Sequence, residues 1–171
     1  MQITYGREER IEVYHFSIWV TVLVPLFALV LQAFLPIRLH FFSIFDLPLL
    51  VTIFFAVARR SQISGLMTGA IIGLLQDSLT HQPLGVYGIS KSIVGYAASS
   101  VGAKIDVENP GSRLLLTFCF YILHQLIFFA VARGLVGADL RWIWMHEVRG
   151  AIANSIVAVV LFYLLDRFKH Q

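Results

Sequence analysis

Charge is scarce in this sequence. Lys, Arg, Asp and Glu make up 13% of its 171 residues, against about 25% in an ordinary soluble domain. That scarcity excludes an ordinary soluble domain, and no basic run is long enough to suggest nucleic acid. Cysteine is nearly absent too. The single residue, Cys119 in "FCFYILH", excludes an internal disulfide and is expected to be a small buried hydrophobe. The six histidines (15, 40, 81, 124, 146 and 170) include no pair at helical metal-ligand spacing and no Cys-His set, so neither metal nor cofactor is expected. HExxH, GxSxG and a phosphate-cradling Gly-Lys loop are all missing. His146 and Glu147 are adjacent, so their side chains are expected to diverge. These absences argue against an enzyme. No low-complexity segment or polar linker divides the chain, which predicts a single domain over 1–171.

What the sequence has instead is apolar length. It is 58% hydrophobic, with a mean hydropathy of +0.78. Residues 13–37 carry no Asp, Glu, Lys or Arg, and neither do 114–132; residues 92–103 extend a run broken only by Lys91. About 20 apolar residues span a bilayer as a helix, so the chain is expected to be an all-α polytopic membrane protein. The first run follows Arg7 and Arg10 but exceeds the 7–15 residues or so of a signal-peptide core, and is expected to be retained. Six spans are predicted: 13–35 stopping at Pro36, 47–59 with Pro48 in its first turn, 61–78, 86–104, 113–133 and 149–167. The link "ADLRWIWMHEVRG" places Leu140, Ile143, Trp144 and Val148 at helical spacing. It predicts an interfacial amphipathic helix over 138–149, where tryptophan and lipid-facing arginine are favoured.

With the N-terminus inside, eight Lys and Arg fall on the inner side (Arg7, Arg10, Arg59, Arg60, Lys104, Arg113, Arg167, Lys169). Five fall on the outer side (Arg38, Lys91, Arg133, Arg141, Arg149). The positive-inside rule then predicts both termini in the cytoplasm.

Within the spans, "SGLMTGAIIGLLQDSL" sets Gly65, Gly69 and Gly73 four apart and ends the same ridge on Asp77. Each glycine weakens a helix by about 1 kcal/mol relative to alanine. Their spacing suits close backbone approach, the main source of helix association in lipid. The fourth span repeats the theme with Gly88, Gly95, Ser99 and Gly102. The ridge can serve packing within this chain, a groove for a partner's transmembrane helix, or both. Asp77 and Lys91 lie about 9 Å either side of the "PLG" turn if fully helical. An intramembrane ion pair between them is expected, since a charge in a span normally faces protein or water. His124, Gln125, Asn154 and Ser155 are expected to form hydrogen bonds between helices.

"FDLPLL", a span ending in "ARR", and "SGLMTGAIIGLLQDSLTHQPLGVYGISKSIVGYAAS" together resemble the bacterial rod shape-determining membrane protein MreD family. The positions that carry the resemblance are Asp46, Leu47, Gly69, Gly73, Leu75, Gln76, Asp77, Pro83, Leu84, Gly85, Gly95 and Tyr96, within residues 45–100. The resemblance implies a non-enzymatic inner-membrane component of the cell-elongation machinery that builds peptidoglycan. It also implies direct contact with MreC and work alongside MreB, RodA and the elongation transpeptidase, in a setting of membrane lipid. At the level of fold it implies a six-helix bundle similar to the S components of energy-coupling-factor transporters. That likeness supplies an alternative function, a membrane receptor for a small ligand, with Trp142, Trp144 and His81 as the available lining.

Overall fold

The computed structural model describes residues 16–80, 82–105, 107, 109–139 and 141–168. Six α-helices follow one another: α1 Ile18–Arg38, α2 Leu47–Arg59, α3 Gln62–Thr80, α4 Val86–Gly102, α5 Pro110–Gly134 and α6 Trp144–Asp166. A short 3₁₀ turn, His40–Ile44, joins α1 to α2. No strand occurs among the described residues. By length and composition α1, α5 and α6 suffice to cross a membrane, and α2 is apolar but shorter. The chain is a helical membrane protein.

The centre of the bundle is α2. Every residue from Pro48 to Ala58 is buried, with α1, α3, α4, α5 and α6 packed around it. A helix enclosed on all sides has no polar face to present, which explains why "LPLLVTIFFAVA" carries a single polar side chain, Thr52. It starts where the Asp46 carboxylate accepts the Leu49 N–H at 3.0 Å. It ends at Arg60, whose left-handed backbone (φ 54°) closes the last turn onto the Ala56 carbonyl. The most extensive helix pair is α3 with α4. By contrast α1 meets only α2, α3 and the 3₁₀ turn.

Several boundaries depart from expectation. α1 continues past Pro36 to Arg38, because a proline removes only its own N–H and the Leu39 amide still reaches Leu35 O at 2.9 Å. α5 starts at Pro110, three residues before the expected Arg113, with Asn109 accepting the Gly111 N–H at 2.9 Å as its cap. Asn-Pro is a helix start that the polar link concealed. The interfacial helix expected over 138–149 does not form. Gly137 takes a positive φ of 74° and Ile143 is extended, so the chain enters helix only at Trp144. Residues 144–149 are the first turns of α6 instead, and Leu140 lies outside the described residues.

Candidate functional site

Polar side chains from three helices converge on the start of α2. Both oxygens of Asp46 accept from Lys91 Nζ, at 2.9 and 2.8 Å. Lys91 is fully buried, and its ammonium stands 5.3 Å from the centre of the Tyr87 ring. The Asp46 N–H donates to Asn154 Oδ1 at 2.9 Å. Asn154 Nδ2 donates to the carbonyls of Ile44 at 2.8 Å and Gly150 at 2.9 Å. The Leu47 N–H donates to Gln32 Oε1 at 3.1 Å. Thus Gln32 of α1, Lys91 of α4 and Asn154 of α6 all fasten residues 44–47. The physical need is plain. The break between the 3₁₀ turn and α2 leaves backbone donors and acceptors without helical partners, and these side chains supply them.

Asp77 performs the equivalent task for α4. Its Oδ2 accepts from the amides of Gly85 at 2.8 Å and Gly88 at 3.2 Å, and its Oδ1 from that of Tyr87 at 2.9 Å. The ion pair expected between Asp77 and Lys91 is therefore corrected. The first turn of a helix presents free N–H groups and the positive end of its dipole, and the carboxylate takes those. Gly85, at φ 104°, bends the chain so that its amide points back at Asp77. The equal depth expected of the two residues is corrected too: Gly65 lies against Gly95, Gly69 against Lys91 and Gly73 against Tyr87, which sets Lys91 about two turns from Asp77 along α3, and Lys91 is directed to Asp46 at the start of α2.

Along the α3–α4 seam the backbones touch. A Cβ on Gly69 would overlap the Lys91 carbonyl, one on Gly73 the Tyr87 carbonyl, and one on Gly65 the Gly95 carbonyl. A Cβ on Gly95 would in turn overlap the Gly65 carbonyl. The face that bears the ridge is thus occupied by a helix of the same chain. Gly88 is less confined, with the Leu74 side chain at 3.0 Å from a built Cβ. Of the other motif positions, Pro83 accepts the Val86 N–H at 3.3 Å within the turn. Gln76 is buried, its Oε1 without a hydrogen-bond partner among the described residues, and Tyr96 is half exposed on α4.

Asn154 forms the interhelical bonds expected of it; three other residues do not. Gln125 donates to Tyr121 of its own helix at 3.0 Å, and Ser155 to the Ala151 carbonyl of its own at 2.7 Å. His124 is buried and stacked on Tyr87 (centroids 6.0 Å apart, 6° between planes). Its Nε2 is 4.0 Å from Asp46 Oδ2, and neither ring nitrogen has a hydrogen-bond partner among the described residues. Cys119 is exposed, not buried. Trp142 and Trp144 pack edge to face at 5.2 Å; His81 lies outside the described residues. Sequence reasoning missed a clamp at the opposite end of the bundle, where Arg113 pairs with Asp166 at 2.6 Å and donates from Nε to the Val107 carbonyl at 2.7 Å. Its signal was one opposite charge at the matching end of each of the last two spans.

Comparison with known proteins gives one family. The model described as rod shape-determining protein MreD matches residues 12–170, nearly the whole chain. No curated protein and no solved structure matched.

Proposed function

The chain belongs to the rod shape-determining protein MreD family, and on that footing we propose that it is a non-enzymatic inner-membrane scaffold that holds MreC by contacts between transmembrane helices. MreB, RodA and the elongation transpeptidase are its partners at the level of the machinery. The observation that supports this reading is the exposure of α1. Its large apolar residues Trp19, Leu23, Phe27 and Phe34 face outward, and it makes no contact with α4, α5 or α6. Between α1 and α6, above α2, runs an apolar groove of about 560 Å³ lined by Leu23, Phe27, Leu31, Val51, Leu161 and Leu164. The glycine faces of α3 and α4 are closed on each other, so this groove is the seat assigned to the MreC span. Co-purification from detergent tests it: Val24→Trp and Leu161→Trp, placed to fill the groove, should lose MreC while the chain stays folded. Undiminished MreC retention by both variants would sink the assignment of the groove. Failure of the unaltered chain to retain MreC would sink the scaffold reading itself.

The same reading places both termini in the cytoplasm. Lys91 is buried on Asp46 and Arg113 on Asp166, so both leave the count of loop charges, and the bias becomes seven inner against four outer cations. A reporter fused after residue 171 should be active on the cytoplasmic side; activity on the outer side would reverse the topology.

A further inference from the structure

Helix α2 delivers a guanidinium to the mouth of an open groove. Arg59, its last residue, donates from Nη2 to Thr21 Oγ1 of α1 at 2.7 Å and from Nη1 to Ser64 Oγ of α3 at 3.3 Å. Its charge stands 5.5 Å from the centre of the Phe55 ring, one turn back on α2, so three helices hold it in place. The side chain is only partly buried, and no carboxylate pairs with it among the described residues. A guanidinium has five N–H donors, and the two bonds leave the others free. Both hydroxyls accept from Arg59, and neither donates to another group among the described residues. The three side chains together offer spare donors and no anion.

Thr21 is also the first residue of the groove. Between α1 and α3 an apolar trough of about 220 Å³ runs from Thr21 to Leu29 on one wall and from Thr68 to Leu75 on the other. Eight residues at about 1.5 Å each make it about 12 Å long. That is close to the hydrocarbon depth of one leaflet, half of about 30 Å. Val22, Leu26 and Ile71 on its walls are exposed, so it opens outward from the bundle. Its polar mouth lies where α1 begins, α2 ends and α3 begins, the depth at which lipid headgroups lie.

We propose that this groove seats one acyl chain of an anionic phospholipid, of the phosphatidylglycerol class, with the headgroup phosphate on Arg59 and on the hydroxyls of Thr21 and Ser64. A phosphate supplies the acceptors that all three side chains lack, and its bonds to a guanidinium are charge-assisted. A zwitterionic lipid would bring an ammonium as well, and neither the groove walls nor the neighbours of Arg59 include a carboxylate to receive it. The acyl chain covers an apolar trough that a free phosphate would leave empty. The site lies on the α3 side of α1, away from the groove assigned to MreC, and the proposal does not rest on that partnership.

The full chain is reconstituted in vesicles of equal parts phosphatidylglycerol, phosphatidylethanolamine and phosphatidylcholine, then extracted and weighed with its retained lipid by native mass spectrometry. Phosphatidylglycerol should be enriched about tenfold over each of the others, the factor expected of one charge-assisted hydrogen bond. Arg59→Gln should abolish that preference, and Arg59→Lys, which keeps the charge and loses the fork, should retain part of it. Thr21→Val, close to isosteric, should reduce it several-fold at an unchanged melting temperature. Leu26→Trp with Ile71→Trp, bulk added from both walls, should lower phosphatidylglycerol retention although Arg59 is intact. Equal retention of the three lipids, or a preference that survives Arg59→Gln, would overturn the proposal. Undiminished retention with the walls filled, or displacement of the lipid by soluble glycerol 3-phosphate at equal concentration, would overturn the acyl chain as the occupant of the groove.

Discussion

The α3–α4 pair and helix α1 solve opposite problems with opposite residues. Along α3 and α4 glycines remove side chains from the contact, and backbone meets backbone at Gly65, Gly69, Gly73 and Gly95. Along α1 the exposed residues are large, and beyond its contacts with α2 and α3 the helix is flanked by apolar grooves on both sides. In water both arrangements would bury oil. In lipid the solvent is itself apolar, so only closeness of packing holds helices together. Small residues therefore mark a seam closed within the chain. Large exposed ones mark a face left to lipid or to another helix.

The largest effect should come from the latch that ties the closed region to α2. Lys91→Met leaves the Asp46 carboxylate unpaired among buried groups, at a cost of about 3–5 kcal/mol, read as a lowered melting temperature in detergent. Adding Asp46→Asn should recover part of it, with a coupling of about 0.5–3 kcal/mol. The same cycle run with Asp77→Asn and Lys91→Met should be additive, because those two residues hold different partners. Next in size, Gly69→Leu should cost about 1–3 kcal/mol or more, since the atom it meets is a carbonyl fixed in a helix rather than a yielding side chain. Asp77→Asn weakens the cap on α4 and should cost about 1 kcal/mol, seen as faster hydrogen exchange at the amides of Gly85, Tyr87 and Gly88. Smallest is Phe27→Ala on α1, which should change stability by under about 0.5 kcal/mol yet reduce MreC recovery. An α1 substitution as damaging as Gly69→Leu would erase the contrast between the two regions.

Much of this organisation was legible in the residues. The glycine spacing pointed to close backbone approach, and the bounds expected for the second helix agree with α2 at both ends. The motif positions from Asp46 to Tyr96 led to the family that matches residues 12–170. The partner of Lys91 was not legible, for a physical reason. Helical rise gives distance along one helix, but the register between helices and the side a residue faces depend on how they pack, and Asp46 is 45 positions away. Gln32 was hidden for the same reason: it bonds to backbone, and backbone leaves no trace in composition. The 138–149 stripe misled because its period was helical while Gly137 and Ile143 kept the backbone out of helix. His124 was expected to bond because buried imidazoles usually do, and its stacking on Tyr87 had no sequence signature.

Cys119 has a consequence for handling this protein at the bench. It is the chain's one thiol, and it sits exposed on α5 with the apolar residues of that helix on either side. A maleimide fluorophore or spin label would attach there and nowhere else, without any cysteine having to be removed first. Reported from inside the bilayer, its signal would track lipid, detergent and any neighbouring helix. Two copies meeting through that face of α5 would announce themselves as a disulfide-linked band on a non-reducing gel.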